Sequence, residues 1–185
     1  MKSPLPTWAE LGRQGFTHRG SKRPAFAAEP GPGQESVWDY PRPPRVVADT
    51  REVAVFALGV EIARTQAALR VLETSHPPTF YLPRNDVKMA YLVPAGGGSR
   101  CEWKGEASYF DIVVAEQCIA RVSWSYERPF DDAAPLAGHL AFYASLVEAT
   151  VGAERVRPQP GGFYGGWITP ELAGPFKGEP GSEGW

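Results

Sequence analysis

A short polar stretch, residues 73–76, stands next to apolar residues and is followed by two prolines. Glu73 falls on the same face of a predicted strand as Val71, so its carboxyl group is expected to point inward. Burial raises a carboxyl pKa and suits the group to general acid–base catalysis. His76 can shuttle a proton or hydrogen-bond a turn carbonyl. We predict Glu73 and His76 as a catalytic pair, and the alternative for Glu73 is a salt bridge to Arg42, Arg45 or Arg70.

Aromatic residues make up 12% of the chain and recur in separate segments. Rings from separate segments can line a pocket for a planar or cationic ligand. Alternatively they fill the core of a small β-domain, because six Trp residues must be buried somewhere. Two cationic side chains in the same motifs can meet an anionic group. The predicted ligand-binding residues are Trp38, Tyr40, Arg42, Tyr81, Trp103, Lys104, Trp124 and Tyr126.

Strand alternation divides residues 101–109 into two faces. Trp103 shares the apolar face with Cys101, and a cysteine on a core face is expected to be inert. Lys104 falls on a charged face, where a solvated ladder competes with a role as an electrostatic anchor for an anionic ligand. Trp103 and Lys104 therefore cannot both line one pocket unless the strand twists or ends there.

The cysteines and histidines show no metal-binding spacing. Cys101 and Cys118 form no CxxC pair, and the three histidines are far apart in sequence. The chain also contains no glycine-rich phosphate loop and no G-x-S-x-G nucleophile elbow. The sequence therefore predicts no metal and no cofactor.

The 20 glycines and 19 prolines indicate many turns and short elements. Short strands with frequent turns predict a mostly-β fold, either a sheet sandwich or a partly open barrel. A hairpin is predicted around Gly59, a flexible loop over 94–99, and a short helix over Thr7–Gly12 capped by Thr7. Residues 140–151 fit a helix or a strand. The predicted strands are 53–58, 60–64, 70–74, 80–82, 88–93, 102–114 and 117–126.

We predict three regions: a basic Pro/Gly-rich extension over 1–34, a β-domain over 35–160, and a Gly/aromatic-rich tail over 161–185 packed on the domain or a partner. The extension carries five Lys/Arg against two Asp/Glu, and we favour a solvated tail over a contact arm. A net charge of −2 predicts no nucleic-acid partner. Without a long apolar run or a signal peptide, we expect no membrane association and a cytoplasmic location.

Six motifs in the chain are similar to those of one known family: 35–45 (ESVWDYPRPPR), 70–78 (RVLETSHPP), 101–107 (CEWKGEA), 124–126 (WSY), 164–167 (YGGW) and 174–178 (GPFKG). On these motifs the segment 35–185 resembles domain-of-unknown-function family 427, which is sometimes labelled a nucleotidyltransferase without established chemistry. The resemblance implies a β-tent fold, two antiparallel sheets pinned together at one edge. Among β-tent proteins, the thalidomide-binding domain of cereblon holds its ligand in an aromatic cage, which draws attention to Trp38, Trp103 and Trp124. The paired CxxC zinc motifs of such relatives are missing here.

These observations favour a protein that binds or transforms a small planar or anionic metabolite in an aromatic, charge-lined pocket. Whether it is an enzyme stays open. The first alternative is a non-catalytic interaction module that forms a homodimer through its aromatic C-terminal tail. The second is nucleotidyl transfer, which needs carboxylates for Mg²⁺ and a phosphate cradle, and no spacing here supports them.

Overall fold

The computed structural model of the chain describes residues 3–185, so Met1 and Lys2 of the predicted extension lie outside the described residues. One α-helix in this part of the chain, α1, spans Thr7–Gly12 as predicted, although it begins after Pro6 without a side-chain cap from Thr7. Short 3₁₀ segments occupy Val37–Asp39, Arg84–Asp86, Met89–Tyr91 and Asp131–Leu136. The strands are β1 (Glu35–Ser36), β2 (Arg45–Asp49), β3 (Val53–Ala57), β4 (Val60–Thr65), β5 (Ala68–Leu72), β6 (Thr79–Tyr81), β7 (Leu92–Cys101), β8 (Gly105–Val114), β9 (Gln117–Ser125), β10 (Leu140–Phe142), β11 (Glu148–Val151), β12 (Glu154–Arg155), β13 (Arg157–Pro158), β14 (Trp167–Ile168) and β15 (Leu172–Ala173).

The strands form open sheets that are mainly antiparallel. Two sheets have four strands, in the orders β10-β9-β8-β7 and β12-β11-β3-β4, and a third has the order β2-β5-β6. The pairs β13-β14 and β1-β15 are small additions, and β1-β15 is parallel. The mostly-β prediction is therefore confirmed, with several antiparallel sheets that do not close into a barrel.

The predicted hairpin around Gly59 is confirmed. β3 and β4 pair antiparallel, and the two residues between them have φ angles of 52° at Leu58 and 77° at Gly59. Two consecutive positive φ angles are what a two-residue type I′ hairpin turn requires, and glycine adopts that conformation with little strain.

The β7–β8 region differs from its sequence prediction. The predicted loop 94–99 is wrong, because β7 runs through it and pairs with β8, with a register shift between Ala95 and Gly98 that absorbs the glycines. The predicted strand 102–114 begins only at Gly105, since residues 102–104 form the turn between the two strands. Half of the predicted strand 88–93, residues 89–91, is a 3₁₀ turn, and the ambiguous segment 140–151 contains β10 and β11 instead of a helix.

The core has two main apolar clusters. The larger one is built on β3, β4, β8, β9 and β10, and it includes Val53, Ile62, Phe80, Ile112, Val122, Leu140, Phe142 and Trp167. The second cluster lies beside the cavity described below and includes Val71, Tyr81, Tyr109, Trp124, Tyr126 and Leu136. Trp124 and Tyr126 therefore belong to the core and also border the cavity, so the two readings of these rings coexist.

Both terminal segments pack against the strands. Phe16 lies 5.7 Å from Trp103 between ring centroids, and Phe26 lies 5.1 Å from Trp38. The solvated-tail interpretation is wrong for these residues, because their rings are placed against tryptophans of the domain. At the other end, Trp185 lies 5.1 Å from the Trp38 ring. Among residues 3–185, none of the helices has the length and apolar character needed to span a bilayer.

Candidate functional site

A cavity of about 510 Å³ lies between the strands and the two terminal segments. Its walls come from β5 to β9, from the loop after β5, from the turn 102–104, and from residues near both ends of the chain. This volume is in the range of small-molecule sites. Seven of the predicted site residues line it: Glu73, His76, Tyr81, Trp103, Lys104, Trp124 and Tyr126.

Three predicted ligand-binding residues do not line the cavity. Trp38 is fully buried against the rings of His18, Phe26 and Trp185, and its indole N–H donates to the Pro175 carbonyl at 3.1 Å. Tyr40 is also buried, beside Trp38 and Leu72. Arg42 lies behind the cavity wall, with its guanidinium 4.1 Å from the Phe16 ring centroid. The three residues are buried away from the cavity because the terminal segments cover them, and such tertiary contacts leave no local pattern in the sequence.

Arg42 fixes the position of the Glu73 carboxyl group through a hydrogen bond. Its Nε donates to Glu73 Oε1 at 3.3 Å, and its other nitrogens donate to the carbonyls of His18 and Thr74, both at 2.9 Å. The salt-bridge alternative for Glu73 is therefore observed, with Arg42 as the partner. Glu73 also lines the cavity, and its Oε2 lies 4.0 Å from Lys104 Nζ.

The charge of Glu73 follows from these neighbours. Burial raises the pKa of the Glu73 carboxyl, but its electrostatic interactions with His76, Lys104 and Arg42 outweigh burial and leave the pKa below its ordinary value. At neutral pH the side chain is therefore a carboxylate. It can accept a proton or a hydrogen bond, and it is unsuited to act as the proton donor.

Lys104 and Trp103 both line the cavity, because they lie in the turn between β7 and β8. The alternation argument does not apply to residues in a turn, and the solvated-ladder interpretation of Lys104 is wrong. The Lys104 side chain is only 14% exposed. Burial lowers the pKa of its ammonium, but Cys101, Tyr126, Tyr81 and Glu73 outweigh burial and place the pKa well above its ordinary value. Lys104 is therefore a cation at neutral pH.

The Lys104 ammonium lacks hydrogen-bond acceptors within the described part of the chain. Its one ion pair is the 4.0 Å contact with Glu73, and none of residues 3–185 accepts a hydrogen bond from Nζ. Burying a charge is costly unless it is paired and hydrogen-bonded. An ammonium with three donors at a cavity wall is therefore suited to meet an oxygen of a ligand.

His76 lines the cavity beside Tyr164, whose ring centroid lies 4.9 Å away in an edge contact. Its Nδ1 lies 3.0 Å from Gln159 Nε2, so the partner is a side-chain amide and not the predicted turn carbonyl. Burial lowers the pKa of His76 to about 4, and the Glu73 carboxylate only partly opposes this. His76 is therefore neutral at neutral pH.

Aromatic groups supply the other walls. Trp124 donates its indole N–H to the Tyr81 hydroxyl at 3.3 Å, and the Tyr143 ring lies 4.5 Å from Trp124. Burial raises the pKa of Tyr81 to about 12, so its phenol stays neutral. The Trp103 indole N–H is buried without a hydrogen-bond partner in the part of the chain described. These walls combine flat apolar surface with few polar points, as ligand sites commonly do.

A glycine-rich loop, residues 161–166, forms the rim. A Cβ atom at Gly165 would lie 2.1 Å from Trp124 Cη2, so only glycine lets the loop approach the indole ring this closely. Phe163 in the same loop is 71% exposed and lines the cavity. No local sequence pattern predicts a site role for Phe16, Tyr143, Gln159, Phe163 or Tyr164. The motif at 164–167 was the one local signal for this part of the wall.

The structure thus defines a mostly-β protein with a partly open cavity lined by aromatic side chains, beside a largely buried cluster of Glu73, Lys104 and Arg42. In residues 3–185, no group of three His, Cys, Asp or Glu side chains is placed to hold a metal ion. The sequence profile of the family described as Domain of unknown function (DUF427) matches residues 45–153, and the chain belongs to that family. No curated protein matches the chain. The matched segment contains Glu73, His76 and Lys104, whereas the terminal walls lie outside it.

Proposed function

We propose that the cavity binds a small planar metabolite that carries an anionic oxygen group, with Lys104 as the anchor for that group. The observation that carries the proposal is the Lys104 ammonium, which is largely buried at the cavity wall and has no hydrogen-bond acceptor among the described residues. A ligand carboxylate would supply that acceptor in a charge-assisted hydrogen bond.

The charge of the neighbouring cluster supports an anion. Arg42 and Lys104 are cationic, Glu73 is anionic, and His76 is neutral at neutral pH. The cluster therefore carries one positive charge in excess. A ligand carboxylate would balance this charge, whereas a cationic ligand would add a second unmatched charge in a poorly solvated space.

The walls support a planar partner for the anionic group. Trp103 and Trp124 border the same space, and Phe163 and Tyr164 stand at its rim. Aromatic faces bind flat rings through burial of apolar area and offset or edge contacts. A catalytic version of the proposal uses the Glu73 carboxylate as the proton acceptor, since it borders the cavity and is ionised.

The test uses two probes that differ only in charge, indole-3-carboxylate and indole-3-carboxamide, measured by calorimetry on the full chain. We expect the wild type to prefer the carboxylate and Lys104→Met to lose about tenfold or more of that preference, as expected for a hydrogen bond to a charged group. Lys88→Met is the matched control, because Lys88 also has one carboxylate partner, Glu61 at 3.3 Å, but lies exposed outside the cavity.

Two outcomes overturn the proposal. Equal affinity of the wild type for both probes would remove the anion preference. An unchanged preference in Lys104→Met would remove Lys104 as its source. A thermal-shift screen of aromatic carboxylates provides a broader check, because the proposal is also wrong if none of them raises the melting temperature.

A further inference from the structure

The side-chain amide of Gln159 is fixed by backbone groups on both of its ends. Its Oε1 accepts from the Gly166 N–H at 3.0 Å, and its Nε2 donates to the Lys177 carbonyl at 2.8 Å. A backbone N–H can only donate and a carbonyl can only accept, so the two contacts determine which end of the amide is oxygen and which is nitrogen. The second hydrogen of Nε2 is then directed to His76 Nδ1 at 3.0 Å.

This orientation determines where the proton of His76 lies. Nδ1 accepts a hydrogen bond from the Gln159 amide, so in the neutral ring the proton is on Nε2. An imidazolium would place an N–H at Nδ1 against the amide N–H of Gln159. None of residues 3–185 hydrogen-bonds to Nε2, and the His76 side chain lines the cavity. The ring nitrogen of His76 that is available to a ligand is therefore Nε2, which carries the proton and donates it in a hydrogen bond.

The support of Gln159 is rigid. The side chain is 4% exposed, and the backbone N–H of the same residue donates to the Gly166 carbonyl at 3.0 Å. A Cβ at Gly166 would lie 2.3 Å from Gln159 Oε1 and 2.6 Å from the Pro77 carbonyl, so glycine permits this close contact. Residues 159 and 166 thus form a clamp that joins the glycine-rich loop to the loop bearing His76.

We propose that Gln159 is a positioning residue that holds His76 in its neutral, Nε2-protonated form, so that the cavity presents an uncharged donor as well as the Lys104 ammonium. The ligand class is then narrowed to molecules with an acceptor oxygen at each donor, such as a planar ring bearing both a carboxylate and a carbonyl. The ligand part of this inference rests on the proposed function, and the tautomer part does not.

The tautomer is measured by ¹⁵N NMR of the imidazole in the unliganded full chain. We expect Nδ1 to be unprotonated in the wild type at neutral pH. Gln159→Glu places a carboxylate against Nδ1, which should move the proton to Nδ1 and raise the pKa of His76. Gln159→Met removes the donor without adding charge and should leave a mixture of both tautomers. This second variant keeps the test valid if the carboxylate, which also faces the Lys177 carbonyl, destabilises the fold.

Gln34→Glu is the control, because Gln34 also bridges two backbone groups, Gly31 N–H and the Pro170 carbonyl, but contacts no histidine. A wild-type ring protonated at Nδ1, or a His76 signal that is unchanged in both Gln159 variants, would overturn the inference. For binding, Gln159→Met should weaken 4-oxoquinoline-2-carboxylate, a planar ring with a carboxylate and a separate carbonyl, by about threefold to tenfold, and should spare indole-3-carboxylate, whose single acceptor group meets Lys104. Equal affinity of wild type and Gln159→Met for 4-oxoquinoline-2-carboxylate would reject the donor role.

The failures of the two proposals are distinguishable. A correct tautomer response without any binding of the probes would reject the proposed function and leave Gln159 as the residue that orients His76. Lys104-dependent binding with an unresponsive His76 would reject the Gln159 inference and leave the proposed function in place.

Discussion

Two regions of the molecule are rich in aromatic residues, but one is tightly packed and the other borders a cavity. The first is the Trp38 cluster, which we define as Trp38, His18, Phe26 and Trp185. The second is the cavity wall around Trp103, Trp124 and Lys104. In the Trp38 cluster three rings stand 5.1 to 5.3 Å from Trp38, which is fully buried. In the cavity about 510 Å³ stays unfilled between the rings.

The polar groups of the two regions show the difference most clearly. The Trp38 indole N–H is satisfied by the Pro175 carbonyl, whereas within residues 3–185 the Trp103 indole N–H and the Lys104 ammonium have no hydrogen-bond acceptor. Aromatic content alone therefore does not distinguish a packed cluster from a binding site. The combination of open space with unsatisfied buried donors does so, because such donors gain most from a ligand.

The largest expected effect concerns the Trp38 cluster. Trp38→Ala should lower the free energy of unfolding by about 3–5 kcal/mol, because it removes a fully buried indole and leaves a void under both terminal segments. Urea denaturation followed by circular dichroism measures the change. Trp38→Ala should leave the ratio of the affinities for indole-3-carboxylate and indole-3-carboxamide unchanged, since Trp38 does not line the cavity.

Leu11→Ala provides the control, in the N-terminal segment that packs over Trp38. Leu11 is 63% exposed, so its loss should change the free energy of unfolding by less than about 0.5 kcal/mol. If Trp38→Ala is equally mild, the terminal segments do not form a packed cover over Trp38. The contrast between the two aromatic regions would then disappear.

The sequence predicts the fold better than the site. Hydrophobic alternation and a single glycine identified the β3–β4 hairpin, because both are local properties. Strand alternation failed for Lys104, since a three-residue turn at 102–104 ends the strand that the argument assumed. Without knowing where β7 ends, the direction of the Lys104 side chain could not be derived.

The placement of Trp38, Tyr40 and Arg42 outside the cavity could not be predicted for a different reason. The local sequence shows the types of these residues and the prolines next to them. It does not show which distant segments of the chain pack over them. Their covers come from segments more than a hundred residues away, as for Trp38 and Trp185, or from the extension interpreted as a solvated tail. Gln159 was missed for the same reason, since its role depends on contacts with His76, Gly166 and Lys177.

The second prediction concerns the pH dependence of the cavity region. The pKa of His76 is lowered to about 4 in the folded chain from an ordinary value of 6.5. Between these values the unfolded state binds more protons, so the free energy of unfolding rises with pH and is lost as pH falls. One such group gives at most ~1.4 kcal/mol per pH unit, or about 3 kcal/mol over the window. His76→Gln should remove this slope.

Urea denaturation at several pH values from about 5.5 to about 7 reports mainly on His76, because carboxyl groups with ordinary or lowered pKa values, Glu73 among them, change protonation little above about 5.5 in either state. His139→Gln is the control, since that ring lies outside the cavity and its loss leaves the contacts of His76 intact. A His76→Gln variant that keeps the wild-type slope would show that His76 titrates alike in the folded and unfolded chains. The cavity would then be as hydrated as the protein surface.

The smallest effect on stability is expected at the rim. Phe163 is 71% exposed, so Phe163→Ala should change the free energy of unfolding by less than about 0.5 kcal/mol. The same change should weaken the binding of indole-3-carboxylate by about threefold to tenfold, the amount of one aromatic contact.

Leu146→Ala is the control, as an exposed apolar side chain away from the cavity. Unchanged affinity in Phe163→Ala would show that the ligand does not reach the rim. Reduced affinity with unchanged stability would be the opposite of the result expected for Trp38→Ala, which separates a ring that binds from a ring that packs.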